Sequence, residues 1–317
     1  MSSNRLTIKD IARLSGVGKS TVSRVINREE GVSERTRERV MEIIRQQNFS
    51  PSKSARAMRG QSDKVVAIII SRMDSNAENQ SVSAMLPLLY ERGYDPILLE
   101  SRFENQRVKE HLAVLAQRNV DGLVLFGFTG LDEKMLHPWR NKMIVVAREY
   151  AEIASVCYND AGAITLLVDK LYQQGHRRIA FIGVKESDAT TGSRRHAAYQ
   201  ERCRHYGLTP DASLGELTYQ SGYQRVPEVL TPETTAIVCA SDTIAIGVSK
   251  YLHEHQLEAI QVCGIGNNAL LHFLYPQTFS VDPGNAEAGR LAIQQLMGQL
   301  HDSQPVRRLT VPCTLTE

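Results

Sequence analysis

TIKDIARLSGVGKSTVSRVIN, residues 7–27, holds two short apolar-periodic runs separated by a tight glycine-containing turn. Thr7 is placed to cap a helix over residues 8–14, and Asp10, three residues on, completes a capping box. Ile8, Ile11, Ala12 and Leu14 form the apolar side of that helix. Gly16 ends it, Val17 fills the corner, and Gly18 opens the next turn. A second helix begins near Lys19–Ser20 and runs to about Ile26, with Val22, Val25 and Ile26 spaced to pack against the first. Two short helices joined in this way have the spacing of a helix-turn-helix. A third helix follows cap candidate Ser33, with Val32 ahead of it and Val40, Met41, Ile43 and Ile44 as its buried stripe. Three such helices share one small core, so this head is expected to be only marginally stable alone.

The outward positions of the second helix are Lys19, Ser20, Ser23 and Arg24, with Thr21 near its start. Arg and Lys donate to guanine O6/N7, and short hydroxyl side chains address base edges or phosphates. A solvated helix face has the same composition, but the distribution of charge argues for more. The net charge of +2 on 317 residues conceals a division. Residues 1–60 carry 13 Lys/Arg against 6 Asp/Glu, and the remainder carries 24 against 29. A basic head on a mildly acidic body implies a polyanion partner for the head alone, which makes double-stranded DNA the expected ligand. SPSKSARAMRG (50–60) comes next, with Ser50 as cap and Pro51 at the first helical position. The stretch is too short and polar for an isolated helix. It is expected to fold against DNA and a partner chain, placing Lys53, Arg56 and Arg59 near phosphates and Met58 as an apolar wedge. A plain basic linker is the alternative.

From Val65 the pattern turns to parallel α/β. VVAIII (65–70) is apolar at every position, as a strand covered on both faces must be. Strands are expected at 96–100, 122–126, 143–148, 178–183, 236–240, 261–266 and 308–315, alternating with helices at 78–91, 104–118, 160–174, 192–206, 242–255 and 286–300. The count fits two lobes, with the chain crossing between them near 160 and again at 280–290. The expected organisation is therefore a head over 1–49, a hinge over 50–61 and a two-lobed body over 62–317. Ligands of such sheets bind at the C-terminal ends of the strands, so strand-end residues from both lobes mark a cleft. Arg72, Arg148 and Arg195 sit there, and three guanidinium forks near one cleft suit a phosphate dianion. Backbone N–H groups of the 187–192 turn, which leads into a helix, add donors. Asp242, Thr243, Glu78 and Asn267 or Asn268 are candidates for hydroxyl contacts, and Phe126, Phe128 or Tyr223 for covering an apolar sugar face. Asp242 serves equally well as a helix cap. Cys157, Cys203, Cys239, Cys263 and Cys313 are scattered through mostly apolar runs, as buried free thiols are. No metal spacing, strand–GxSxG–helix or dinucleotide fingerprint occurs, so an enzyme is not expected, and no metal or cofactor. The N-terminus has no apolar h-region and the apolar runs reach only about seven residues, so neither export nor a membrane span is expected, and a cytoplasmic location is. A transport binding protein would share the body but not the basic head.

Over essentially its full length the chain resembles the lactose/galactose repressor family of bacterial transcription regulators. The likeness is carried by residues 7–27, GVSERTRERV (31–40), FSPSKSARAMRG (49–60), GHRRIAFIG (175–183) and CASDTIAIG (239–247). It implies a helix-turn-helix head, a hinge helix in the minor groove and a body of two periplasmic-binding-protein-like lobes. Lys19, Ser20 and Arg24 match the operator-reading positions, and Thr7, Thr21, Ser23, Asn27, Ser50, Lys53, Ala55, Arg56, Met58 and Arg59 complete the implied DNA contacts. Met58 departs from the leucine usual at the wedge position. SRMDSNAENQ (71–80), LFGFTG (125–130), VVAREYA (145–151) and KESDATTGSRRHAAY (185–199) resemble a trehalose-responsive branch of the family. That branch implies trehalose 6-phosphate as effector, trehalose as a weaker competitor, and repression of trehalose uptake and catabolism genes. The implied effector contacts add Met73, Asp74, Ser75, Asn76, Ala77, Gly127, Lys185, Ser187, Asp188, Ala189, Thr190, Thr191 and Asn285. GIGNN (264–268) lacks the aspartate that family members commonly carry at this turn, in keeping with a specialised branch. A homodimer is expected because a near-palindromic operator needs two heads. Release of DNA on effector binding follows from the resemblance; physics alone allows either direction.

Overall fold

The computed structural model describes residues 6–26, 29–47, 49, 64–302 and 305–316. Asn27 and the hinge candidates Ser50, Lys53, Ala55, Arg56, Met58 and Arg59 lie outside the described residues. Internal contacts divide the chain into two units, 1–63 and 64–317.

The first unit holds α1 (Ile8–Ser15), α2 (Lys19–Ile26) and α3 (Glu34–Gln46). At the start of α1, both the backbone N–H and the hydroxyl of Thr7 donate to Asp10 Oδ2, at 2.9 and 2.7 Å. Gly16 ends the helix in the left-handed region at φ 66°, which a side chain would disfavour. Ile11, Ala12, Val22, Val25, Val40 and Phe49 form the buried core. Two expected core residues lie outside it: Leu14 is 46% exposed and Met41 39%. The buried stripe of α1 is Ile8, Ile11, Ala12 and Ser15, the true i, i+3, i+4, i+7 set, and Leu14 falls off it. Met41 is likewise one residue out of phase with Val40, Ile43 and Ile44.

The second unit contains two six-stranded sheets. In the first lobe lie β1 (Val65–Ile70), α4 (Asn76–Glu91), β2 (Asp95–Glu100), α5 (Asn105–Gln117), β3 (Gly122–Phe126), β4 (Met143–Val146) and β5 (Ala154–Tyr158). The second lobe contains α6 (Asp160–Gln173), β6 (Ile179–Val184), α7 (Arg195–His205), β7 (Asp211–Gly215), α8 (Tyr219–Val229), β8 (Ala236–Cys239), α9 (Asp242–Glu254), β9 (Gln261–Ile265), α10 (Ala269–Leu274) and β10 (Phe279–Asp282). Then α11 (Asn285–Asp302) and β11 (Arg308–Val311) return to the first lobe, and β12 (Thr314–Leu315) ends in the second. The strand orders are β11-β5-β4-β3-β1-β2 and β12-β10-β9-β8-β6-β7. Every pairing is parallel except β10 with β12. The first sheet is covered on both faces by separate apolar clusters, one built on Val66, Ile68 and Ile70 and the other on Ala67 and Ile69. That double covering explains the unbroken VVAIII run.

The chain crosses between lobes near 159 and 283, and a third time at Pro312–Cys313. RLTVPCTL, read from sequence as one strand, is therefore two strands in two sheets. Pro312 has no N–H for a ladder and sits where the sheets part. The strand ends face one another across this triple connection.

Candidate functional site

On the head, Lys19, Ser20 and Arg24 are exposed along α2, and Thr21 and Ser23 are half-exposed on the same helix. Val22 and Val25 turn inward, so the core fixes which face of α2 is presented. Thr7 is engaged by its cap contact with Asp10.

In the body, a cavity of about 170 Å³ opens between the C-terminal ends of the two sheets. Its first-lobe wall includes Ser71, Arg72, Ser75, Asn76, Ala77 and Glu78 after β1, Gly127 and Phe128 after β3, and Tyr158 at the end of β5. From the second lobe come Asp160, Asp188, Thr190, Thr191, Arg195, Leu217, Ser241, Asp242, Thr243 and Asn268, with Asn285 from the start of α11. Polar contacts tie the lobes together around it. The Ala189 N–H donates to Thr129 Oγ1 at 2.9 Å, and Gln80 Nε2 to the Gly266 carbonyl at 3.1 Å.

The cations of the cavity differ in how far they are engaged. Arg195 is 8% exposed, and its Nε and Nη2 reach Asp160 Oδ1 at 2.8 and 2.7 Å. Its Nη1 donates to the Ala240 carbonyl at 2.5 Å. Its charge is thus balanced inside the protein, and its remaining N–H groups suit neutral acceptors such as sugar hydroxyls. Arg72 is held loosely, with Asp74 at 3.4 Å and the Leu217 carbonyl at 3.5 Å. An anion in the cavity would find Arg72 the more available cation.

Two buried carboxyl groups complete the floor. Glu78 Oε2 accepts from the Ser71 N–H at 2.7 Å and the Arg72 N–H at 3.5 Å. Burial outweighs these bonds and pushes the Glu78 carboxyl up to about 7. Asp242, 2% exposed, accepts from the Asn268 N–H at 2.8 Å and from Ser280 Oγ at 2.8 and 2.9 Å. Burial again dominates, raising it to about 6. Asp242 is not the cap of its helix; Ser241 is, accepting from the Ile244 N–H at 3.3 Å.

Several expected contacts lie elsewhere. Arg148 does not line the cavity. Its stem packs so closely on Gly127 that a Cβ there would stand 2.7 Å from it, and its positive charge acts on the neighbouring Tyr150 hydroxyl, working against the rise in pKa that burial causes there. Tyr223 is not in the wall, donating to Glu254 at 2.7 Å and packing edge-on against Tyr251. Lys185 is exposed and paired with Glu216 at 2.5 Å. Met73 and Asp74 point to solvent, because the loop turns after Arg72. Ser187 and Ala189 are not in the wall, and at this turn the side chains of Asp188, Thr190 and Thr191 are. Asn267 bonds Asp282 at 3.2 Å outside the cavity, leaving Asn268 as the wall residue. Sequence reasoning missed Phe103, Tyr158, Asp160 and Leu217 among the wall residues. Phe103 packs edge-on against Phe128, with ring centroids 5.8 Å apart. Tyr158, the last residue of β5, carried the signal of an aromatic at a strand end; Phe103, in the loop after β2, carried none.

Residues 7–52 match "Bacterial regulatory proteins, lacI family", and residues 168–317 match a periplasmic binding protein-like domain. The HTH-type transcriptional regulator TreR of Salmonella typhimurium is 56% identical over 312 residues, covering 98% of this chain and 99% of the relative. The chain belongs to the lacI family of bacterial transcription regulators. This lacI-family regulator is also similar to the trehalose repressor of Escherichia coli in a solved structure. That likeness has a TM-score of 0.79 and 51% identity, and covers 80% of this chain and 100% of the other. A lac repressor dimer bound to operator and an anti-inducer shares the fold at TM-score 0.85 and 21% identity, covering 99% and 98% of the two chains. The family's regulators bind DNA and are not catalytic. Among the described residues no helix is long and apolar enough to cross a membrane, and no group of His, Cys, Asp and Glu could hold a metal ion.

Proposed function

We propose that this lacI-family regulator represses trehalose uptake and catabolism genes and leaves its operator when trehalose 6-phosphate enters the body cleft. The observation that carries the reading is the pairing of a loosely held Arg72 with an internally balanced Arg195 in one cavity. The first suits a phosphate, and the second, with Asn268, Thr243 and Asn285, suits hydroxyl groups. Phe126, Phe128 and Phe103 offer apolar cover for a sugar face. The trehalose repressor of Escherichia coli, 51% identical and covering 80% of this chain, supports the sugar. Arg148, beside wall residue Ala147, serves as a second phosphate contact if its side chain leaves Tyr150. On the head, Lys19, Ser20 and Arg24 read the operator, and a homodimer presents two heads to a near-palindromic site.

The experiment is an operator-release titration with trehalose 6-phosphate, trehalose and glucose 6-phosphate on wild type and Arg72→Ala. Release by trehalose 6-phosphate at the lowest concentration is expected. A charged hydrogen bond contributes about 1.5–3 kcal/mol, so Arg72→Ala should raise the concentration needed about tenfold to a hundredfold. Equal response of wild type and variant would remove Arg72 from the phosphate site.

A further inference from the structure

The side chains lining the cleft cavity include two cations, Arg72 and Arg195, against four acidic groups, Glu78, Asp160, Asp188 and Asp242. Arg195 is already bonded to Asp160. A phosphate dianion held by Arg72 would lie beside Glu78, whose carboxyl accepts from the Arg72 backbone itself. An ionised carboxylate there repels the dianion across a low-dielectric gap, whereas a protonated one donates to a phosphate oxygen.

We infer that the cleft takes up a proton from solvent at Glu78 when it binds a phosphate ester, so that effector affinity is coupled to pH and a neutral disaccharide escapes the coupling. The inference rests on the phosphorylated-sugar reading above and deepens it. The titratable and charged groups around Glu78 are Arg72 and Asp74 from the β1–α4 loop, Glu100 of β2 (which accepts the Met73 N–H) and Tyr158 of β5. Across the cavity stand Asp160, Asp188, Arg195 and Asp242. Arg72 is the cation among them whose ion-pair partner, Asp74, is exposed. The empty cleft already holds the Glu78 carboxyl near 7, so the proton is within reach at neutral pH. An arriving dianion pushes the same equilibrium further toward the protonated form.

The test is calorimetric titration of the full-length protein at pH 8, in two buffers of different ionisation enthalpy, with trehalose 6-phosphate and with trehalose. At pH 8 a phosphate monoester, whose second ionisation lies at about 6, is almost wholly dianionic when free, so it brings no proton of its own, and loss of the uptake in Glu78→Gln assigns the proton to that carboxyl. Uptake approaching about one proton per protomer is expected for the phosphate ester and none for trehalose. The Kd for the ester should rise about fivefold to tenfold per pH unit between about 7 and 9. Glu78→Gln, which fixes the neutral form, should abolish that slope and bind the ester more tightly than wild type above pH 8. Absence of proton uptake by wild type overturns the inference without reference to any variant, as does an unchanged slope in Glu78→Gln. Binding of the ester with a pH-independent Kd leaves the effector reading standing and removes only the coupling. No binding at any pH overturns both.

Discussion

Asp160→Ala should cost this regulator more stability than any other single change in the cleft. The carboxylate and the Arg195 guanidinium are both buried, with side chains 4% and 10% exposed, and Asp160 is the arginine's anionic partner. Truncation leaves a buried guanidinium with the Ala240 carbonyl as its remaining acceptor. Breaking a buried pair from one side costs about 3–5 kcal/mol. For a body of this size each kcal/mol moves the transition by about 2–4 °C, which gives a fall in Tm of roughly 6–20 °C. Removing both partners with apolar replacements, Asp160→Ala with Arg195→Met, leaves no uncompensated charge and should be milder than either single change. The assay is thermal unfolding followed by far-UV circular dichroism at one fixed protein concentration, since self-association shifts Tm. An Asp160→Ala variant melting within about 2 °C of wild type would refute the reasoning. So would a double variant less stable than both singles.

Glu78 makes stability depend on pH, with a sign set by its raised pKa. From 4.5 to about 7 the folded state holds a proton that the unfolded state has lost. Unfolding stability should therefore fall as pH rises through that window, by about 3 kcal/mol for this group, and level off above it. Glu78→Gln should remove most of that fall, measured as urea midpoints at pH 5 and pH 8; a midpoint difference identical to wild type would contradict it. On the head, Arg24→Ala should cost about 1–3 kcal/mol of operator binding and relax discrimination at one base pair, read from anisotropy titrations on single-substitution operator fragments. Uniform weakening across all fragments would assign Arg24 to phosphate instead.

The sequence showed strands with long apolar runs, such as VVAIII, and also the half-exposed edge strand β2. It missed three short strands, the first being β5 (ASVCY), which is buried inside the first sheet but has a serine and a cysteine breaking its apolar run. DASLG of β7 pairs with β6 alone and is half exposed, so it lacks that signature, and α8 after it went unread as well. FSVD of β10 is four residues long. At the site, strand-end position picked out Arg72, Asp242 and Asn285, which line the cavity. It could not tell side-chain direction. Arg148 ends a strand as Arg72 does, yet its stem packs on Gly127 and its charge acts on Tyr150. The Asp160–Arg195 pair joins positions 35 residues apart in sequence, and no local periodicity encodes it. Leu217 and Phe103 reach the cavity by loop geometry, which no spacing records.

The account stands on energetic coupling between the cleft and the DNA-reading head, and such coupling must be reciprocal. The most direct measurement is a thermodynamic cycle on the full-length protein: operator Kd with and without saturating trehalose 6-phosphate, and effector Kd with and without saturating operator. The account predicts that each ligand weakens the other by the same factor, about 5- to 150-fold. Effector binding of equal strength to free and operator-bound protein would contradict it.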